Sequence, residues 1–97
     1  ELVMLRLDST GLELFLAGSE AKPGPSGGQG LGFRHLAFEV ADIARAVAGL
    51  NADGIRTDGI IDCSGIVKGM RVCFFEDLDG NKLELMQGYL DEGAKKV

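Results

Sequence analysis

Ninety-seven residues are enough for one domain with one core, although a chain this short buries only somewhat more than about 60% of its unfolded surface. With 45% hydrophobic and 26% charged residues, the composition argues against a largely disordered chain. The formal charge of −5 comes from 15 acids against 10 bases, and no basic cluster exceeds Lys95-Lys96, which argues against nucleic acid as a partner.

Residues 2–16 read as two short strands joined by Asp8-Ser9-Thr10-Gly11, a polar cluster with a glycine for the turn, and so predict a β-hairpin. The chain opens on Glu1, already inside an apolar-rich segment, as a piece of a longer product would. Residues 17–32 carry both prolines and many of the glycines without periodicity. They read as a linker that separates the hairpin, residues 1–16, from a second unit.

Residues 33–40 alternate, with Leu36, Phe38 and Val40 on one face and His35, Ala37 and Glu39 on the other. Asp42 is placed to cap a helix reaching about Asn51, with Ile43, Ala46, Val47 and Leu50 at helical spacing and Gly54 as its stop. Strands are predicted over residues 55–61, 70–76 and 82–87. Asp77-Leu78-Asp79-Gly80-Asn81 is a turn by its chemistry. The second unit therefore spans residues 33–88 as strand, helix and three strands, and residues 89–97 form a charged, non-periodic tail. Leu12-Glu13-Leu14 and Leu83-Glu84-Leu85 echo each other, each in the second strand of a hairpin.

No apolar run approaches the roughly 20 residues that span a bilayer, and an acidic first residue with no basic region does not make a signal peptide. The expected location is the cytoplasm. Cys63 and Cys73 lie ten positions apart, neither a redox pair nor a zinc knuckle, and are expected as reduced, mostly buried thiols.

His35 is the only histidine. Its face and the face of Glu84, which shares parity with Lys82 and Met86, both turn away from the more apolar set. If their strands are neighbours, an imidazole nitrogen and a carboxylate oxygen can reach one divalent ion at roughly 2.0–2.2 Å, with Glu13 as a third ligand from the matching place in the first hairpin. Glu39, on the face of His35, is weighed as an acceptor for the imidazole and left out of the ligand set. Met70, Val72 and Phe74 are expected in the core. Asp77 and Asp79 lack the further ligands of a calcium loop, and Gly27-Gly28-Gln29-Gly30 is not followed by the helix that a phosphate cradle requires.

The stretch Gly32-Phe33-Arg34-His35-Leu36-Ala37-Phe38-Glu39-Val40 followed by Asp42-Ile43 carries a family likeness, together with Phe74-Phe75-Glu76-Asp77-Leu78-Asp79-Gly80-Asn81-Lys82-Leu83-Glu84-Leu85. It resembles the glyoxalase/bleomycin-resistance/dioxygenase group, the vicinal oxygen chelate superfamily, over residues 2 to about 88. Leu78 stands where that family commonly has proline. The resemblance implies an α+β fold of paired βαβββ modules in a cupped sheet, with the first module incomplete in this chain. It places His35 and Glu84 on the second-module ligands and Glu13 on a first-module ligand, with the remaining ligand on a strand that these residues do not include. Either an N-terminal portion or a partner subunit is then needed to close the cup.

What the resemblance implies chemically is one divalent metal ion, zinc, nickel, manganese or iron, in a homodimeric protein that takes a small-molecule substrate. Glu84 would be ligand and base, Glu13 ligand and second base, and His35 a neutral ligand. The implied reaction is that of a lyase or isomerase, lactoylglutathione-lyase-like, proceeding through an enediolate. Lys68, and after it Arg71, would meet an anionic substrate end. Two alternatives stand beside this: a non-catalytic module that binds a small, often cationic antibiotic, and an extradiol-type dioxygenase, which wants two histidines.

Overall fold

The computed structural model describes residues 2–16, 31–89 and 95–96. In chain order these form β1 (Leu2–Leu7), β2 (Thr10–Phe15), β3 (Leu36–Glu39), α1 (Ile43–Ala52), β4 (Thr57–Asp62), β5 (Arg71–Glu76), β6 (Lys82–Gln87) and β7 (Lys95–Lys96). They build two sheets, a three-stranded one in the order β2-β1-β7 and a four-stranded one in the order β3-β6-β5-β4. The predicted linker falls mostly on residues 17–30, outside the described residues.

The second unit folds from local signals. The Asp42 side chain accepts from the Arg45 N–H at 3.1 Å, closing the first turn of α1. Gln87, at the end of β6, accepts the Ile43 N–H at 2.8 Å and ties that helix end to the sheet. Gly54, at φ 81°, ends the helix in a conformation that a side chain would disfavour. The β5–β6 turn is held by Asp77, which accepts from the N–H groups of Asp79 and Asn81 at 2.9 and 2.8 Å and from the Asn81 amide at 2.8 Å. These bonds, led by the Asn81 side chain, hold the Asp77 carboxyl below the ordinary carboxylate value.

Register then sorts the side chains onto two faces. Phe38, Leu85, Cys73 and Ile60 are cross-strand partners in one row across the four-stranded sheet, and Ala37, Glu84 and Phe74 form the next row. Successive rows point to opposite faces. The first face meets α1 in a core of Ile43, Val47, Cys73 and Leu85, flanked by Val40, Ala46, Leu50, Ile60 and Phe75. Ile43 and Cys73 are fully buried. The helix lies over β4, β5 and β6, so Leu36 and Phe38 on the edge strand β3 stay 47% exposed. Both cysteines are free thiols, Cys73 buried and Cys63 half-buried.

Three differences from the sequence reading have physical causes. The first hairpin closes with Asp8 and Ser9 alone, because Leu7 pairs with Thr10 and Arg6 with Gly11. Asp8 supplies the positive φ, 51°, that Gly11 was expected to provide. Phe74 is not core: its row faces away from α1, while Cys73 and Phe75 on either side of it face the helix. Within the tail, Lys95–Lys96 pair in parallel with Leu5 and Arg6 of β1, a long-range pairing that no local pattern announces.

Candidate functional site

β3 and β6 are parallel neighbours with Ala37 opposite Glu84. His35, two residues before Ala37, emerges on the same face and reaches across. Its Nε2 donates to Glu84 Oε1 at 2.8 Å. Glu84 is the buried charged residue of the described chain, 7% exposed. Burial pushes its carboxyl above the ordinary value, the His35 ring pulls it back, and the nearby charge of Glu13 pushes it up again.

Glu13 arrives from the other sheet. Met4 is its cross-strand partner in the β1–β2 hairpin, so Met4, Glu13 and Phe15 share the face turned toward His35 and Glu84. Between the sheets lies a cleft of about 950 Å³. Contacts bridge it: the Tyr89 hydroxyl donates to Met4 Sδ at 3.6 Å, and the Arg34 guanidinium lies 5.7 Å from the centre of the Phe15 ring.

His35, Glu84 and Glu13 therefore line one cleft. An imidazole nitrogen and a carboxylate oxygen that already converge suit a divalent ion as two donors. Among the described residues no group of three His, Cys, Asp or Glu side chains stands close enough to hold a metal. Glu13 is thus within electrostatic reach of the pair without joining it.

Lys68 and Arg71 do not line the cleft. Arg71 pairs with Gln87 in the row whose side chains turn toward α1, and Lys68 sits in the loop joining β4 to β5, at the far side of the sheet from β3. Glu39 makes no contact with the imidazole; its row is that of Met86, one full repeat beyond the Ala37–Glu84 row.

The residues that sequence reasoning missed are Phe74, Arg34, Arg6 and Tyr89. Phe74 is the cross-strand partner of Glu84, and its ring meets that of His35 at 88° with centroids 5.4 Å apart. Its parity with Glu84 across the β5–β6 turn was the available signal. Arg6 and Arg34 place guanidinium groups along the cleft.

The sequence model of the Glyoxalase/Bleomycin resistance protein/Dioxygenase superfamily matches residues 2–85. The chain belongs to this superfamily. Its fold is accordingly the α+β glyoxalase fold with one complete βαβββ module, residues 36–87, and a hairpin from a second. Among solved structures this glyoxalase-superfamily chain is similar to SMU.1112c, at 32% identity and a TM-score of 0.55 over 88% of this chain and 68% of that one. It is also similar to the glyoxalase family protein from Enterococcus faecalis, at 39% identity and a TM-score of 0.53 over 88% of this chain and 65% of that one. The chain thus spans about two thirds of the length of either. No curated protein sequence matches it significantly. No helix among the described residues is long and apolar enough to cross a membrane.

Proposed function

We propose that this chain supplies His35, Glu84 and Glu13 to a divalent-metal site of a lyase or isomerase that moves a proton beside a carbonyl of a small oxygenated substrate. The observation that carries this reading is the 2.8 Å contact between His35 Nε2 and Glu84 Oε1, brought together from two strands at the floor of a cleft. One imidazole and two carboxylates suit zinc, nickel, manganese or iron. A bound ion would polarise a substrate oxygen.

The protein's own part is proton handling and enclosure. Glu84 is held above the ordinary carboxylate value by burial, the direction that makes a carboxylate a better proton acceptor. Glu13 faces it from the other wall as a second base. The Arg34–Phe15 and Tyr89–Met4 contacts reach from one wall to the other.

A second protomer is the proposed partner, with strand exchange as one arrangement. Leu85 is 6% exposed beneath α1, whereas its counterpart Leu14 is 44% exposed. Leu12 and Leu7 on the same hairpin face are likewise open to solvent. An apolar face of this kind suits a subunit contact.

One observation supports a different reading, a non-catalytic module for a cationic small molecule: the cleft is lined by Asp8, Glu13, Glu39 and Glu84 against Arg6 and Arg34. A dioxygenase wants a second histidine, and these 97 residues hold one. Titration calorimetry separates the first two. Zinc binding that is lost in Glu84→Gln supports the metal reading; no zinc, nickel, manganese or iron binding, with uptake of an organic cation, supports the module.

A further inference from the structure

His35 lies one residue outside the hydrogen-bonded ladder of β3, whose pairing with β6 begins at Leu36 and Leu83. The backbone therefore fixes its side chain less firmly than that of Glu84, which is flanked by partners on both sides. A histidine that binds a metal ordinarily donates its second ring nitrogen to a carboxylate or carbonyl, which sets the ring's orientation. Here the Nε2 contact goes to Glu84, and the other described contact of the ring is with Phe74.

We propose that Phe74 is a positioning residue, which holds the His35 imidazole on Glu84 through a perpendicular ring contact in place of a hydrogen-bonded acceptor. The geometry places it for this. As the direct cross-strand partner of Glu84 it stands beside the carboxylate, and its ring meets the imidazole at 5.4 Å and 88°, the perpendicular arrangement that aromatic quadrupoles favour. The Phe74 ring has a further contact with Lys82. The Lys82 ammonium lies 5.7 Å from its centre and 3.5 Å from Asp58 Oδ2 on β4. A chain of contacts thus runs from Asp58 through Lys82 and Phe74 to His35 and Glu84.

The metal arm of the test rests on the function proposed above; the orientation arm does not. Because His35 is the only histidine, its imidazole C–H signals are unambiguous in the proton NMR spectrum of the metal-free chain. Wild type is expected to show a single ring orientation, with cross-relaxation between the imidazole and Phe74 ring protons. In Phe74→Leu the ring-current displacement disappears and the imidazole samples several rotamers, while zinc affinity falls about tenfold, the lower end for a group that orients a metal ligand. Phe74→Tyr keeps the ring and restores both.

A Phe74→Leu protein with native circular dichroism and a single, unchanged imidazole orientation would overturn the proposal, as would a Phe74→Tyr protein that behaves like Phe74→Leu. If wild type binds no zinc, the metal reading falls, and the imidazole signals alone decide the role of Phe74.

Discussion

Glu13 and Glu84 hold the same place in two hairpins, each between leucines, and face one another across the cleft closely enough for the charge of Glu13 to raise the Glu84 carboxyl. Glu84 adds a hydrogen bond to His35 that Glu13 lacks among the described residues. The two carboxylates are therefore equivalent in sequence and unequal in environment, and burial raises the Glu84 carboxyl above its ordinary value.

Removing the charge of Glu13 takes away one of the two influences that raise Glu84. Glu13→Gln is expected to bring the Glu84 carboxyl down toward its ordinary value, read from the carbon-13 chemical shift of its carboxyl group as a function of pH. An unchanged titration would show that the two walls do not communicate.

The same shift has a consequence for stability. Burial leaves the folded chain holding the Glu84 proton more tightly than the unfolded chain does. This contribution is fully present below the ordinary carboxylate value and is lost as pH rises through the raised one. Glu84→Gln has no such proton to lose. In metal-free urea unfolding it is expected to gain on wild type steadily as pH rises over that window.

Asp77 has the opposite sign. Its hydrogen bonds to Asn81 and Asp79 hold the carboxyl below its ordinary value, so its stabilising effect is present above the unfolded value and is lost as pH falls through the folded one. Asp77→Ala is expected to lower the melting temperature at neutral pH, with the gap to wild type closing in acid, as measured by thermal circular dichroism.

Ile43 is fully buried against Val47, Cys73 and Leu85. Ile43→Ala is expected to cost about 2–5 kcal/mol in denaturant unfolding. That is a large part of the roughly 5–15 kcal/mol available to a domain. The loss would act on the site indirectly, because the Ile43 N–H also donates to the Gln87 side chain at the end of the strand that carries Glu84.

Much of this arrangement is legible in the sequence because it depends on near neighbours. The period of two puts His35 with Ala37 and Glu84 with Lys82 and Met86, and the structure keeps both pairs of faces. Asp42, Gly54 and the Asp77–Asn81 turn act within a few residues of themselves. The family likeness likewise rests on contiguous stretches, and the superfamily match follows it.

What was not legible depends on which face of β5 receives the helix. Val72 and Phe74 alternate with Cys73 and Phe75, both sets apolar, so alternation alone gives no preference. The docking of Ile43 and Val47 on Cys73 decides it and sends Phe74 to the site. Arg71 follows Cys73 to the helix side and leaves the cleft, where Arg6 and Arg34 stand instead.

His35 and Glu84 are proposed to hold a metal ion together. The most direct test is the metal-to-chain ratio by elemental analysis of purified wild type, His35→Ala and Glu84→Gln, each after loading with zinc and removal of the excess. The predicted result is near-stoichiometric metal in wild type and loss in both variants, with native circular dichroism throughout. Wild type without metal, or either variant with a full complement, would contradict it.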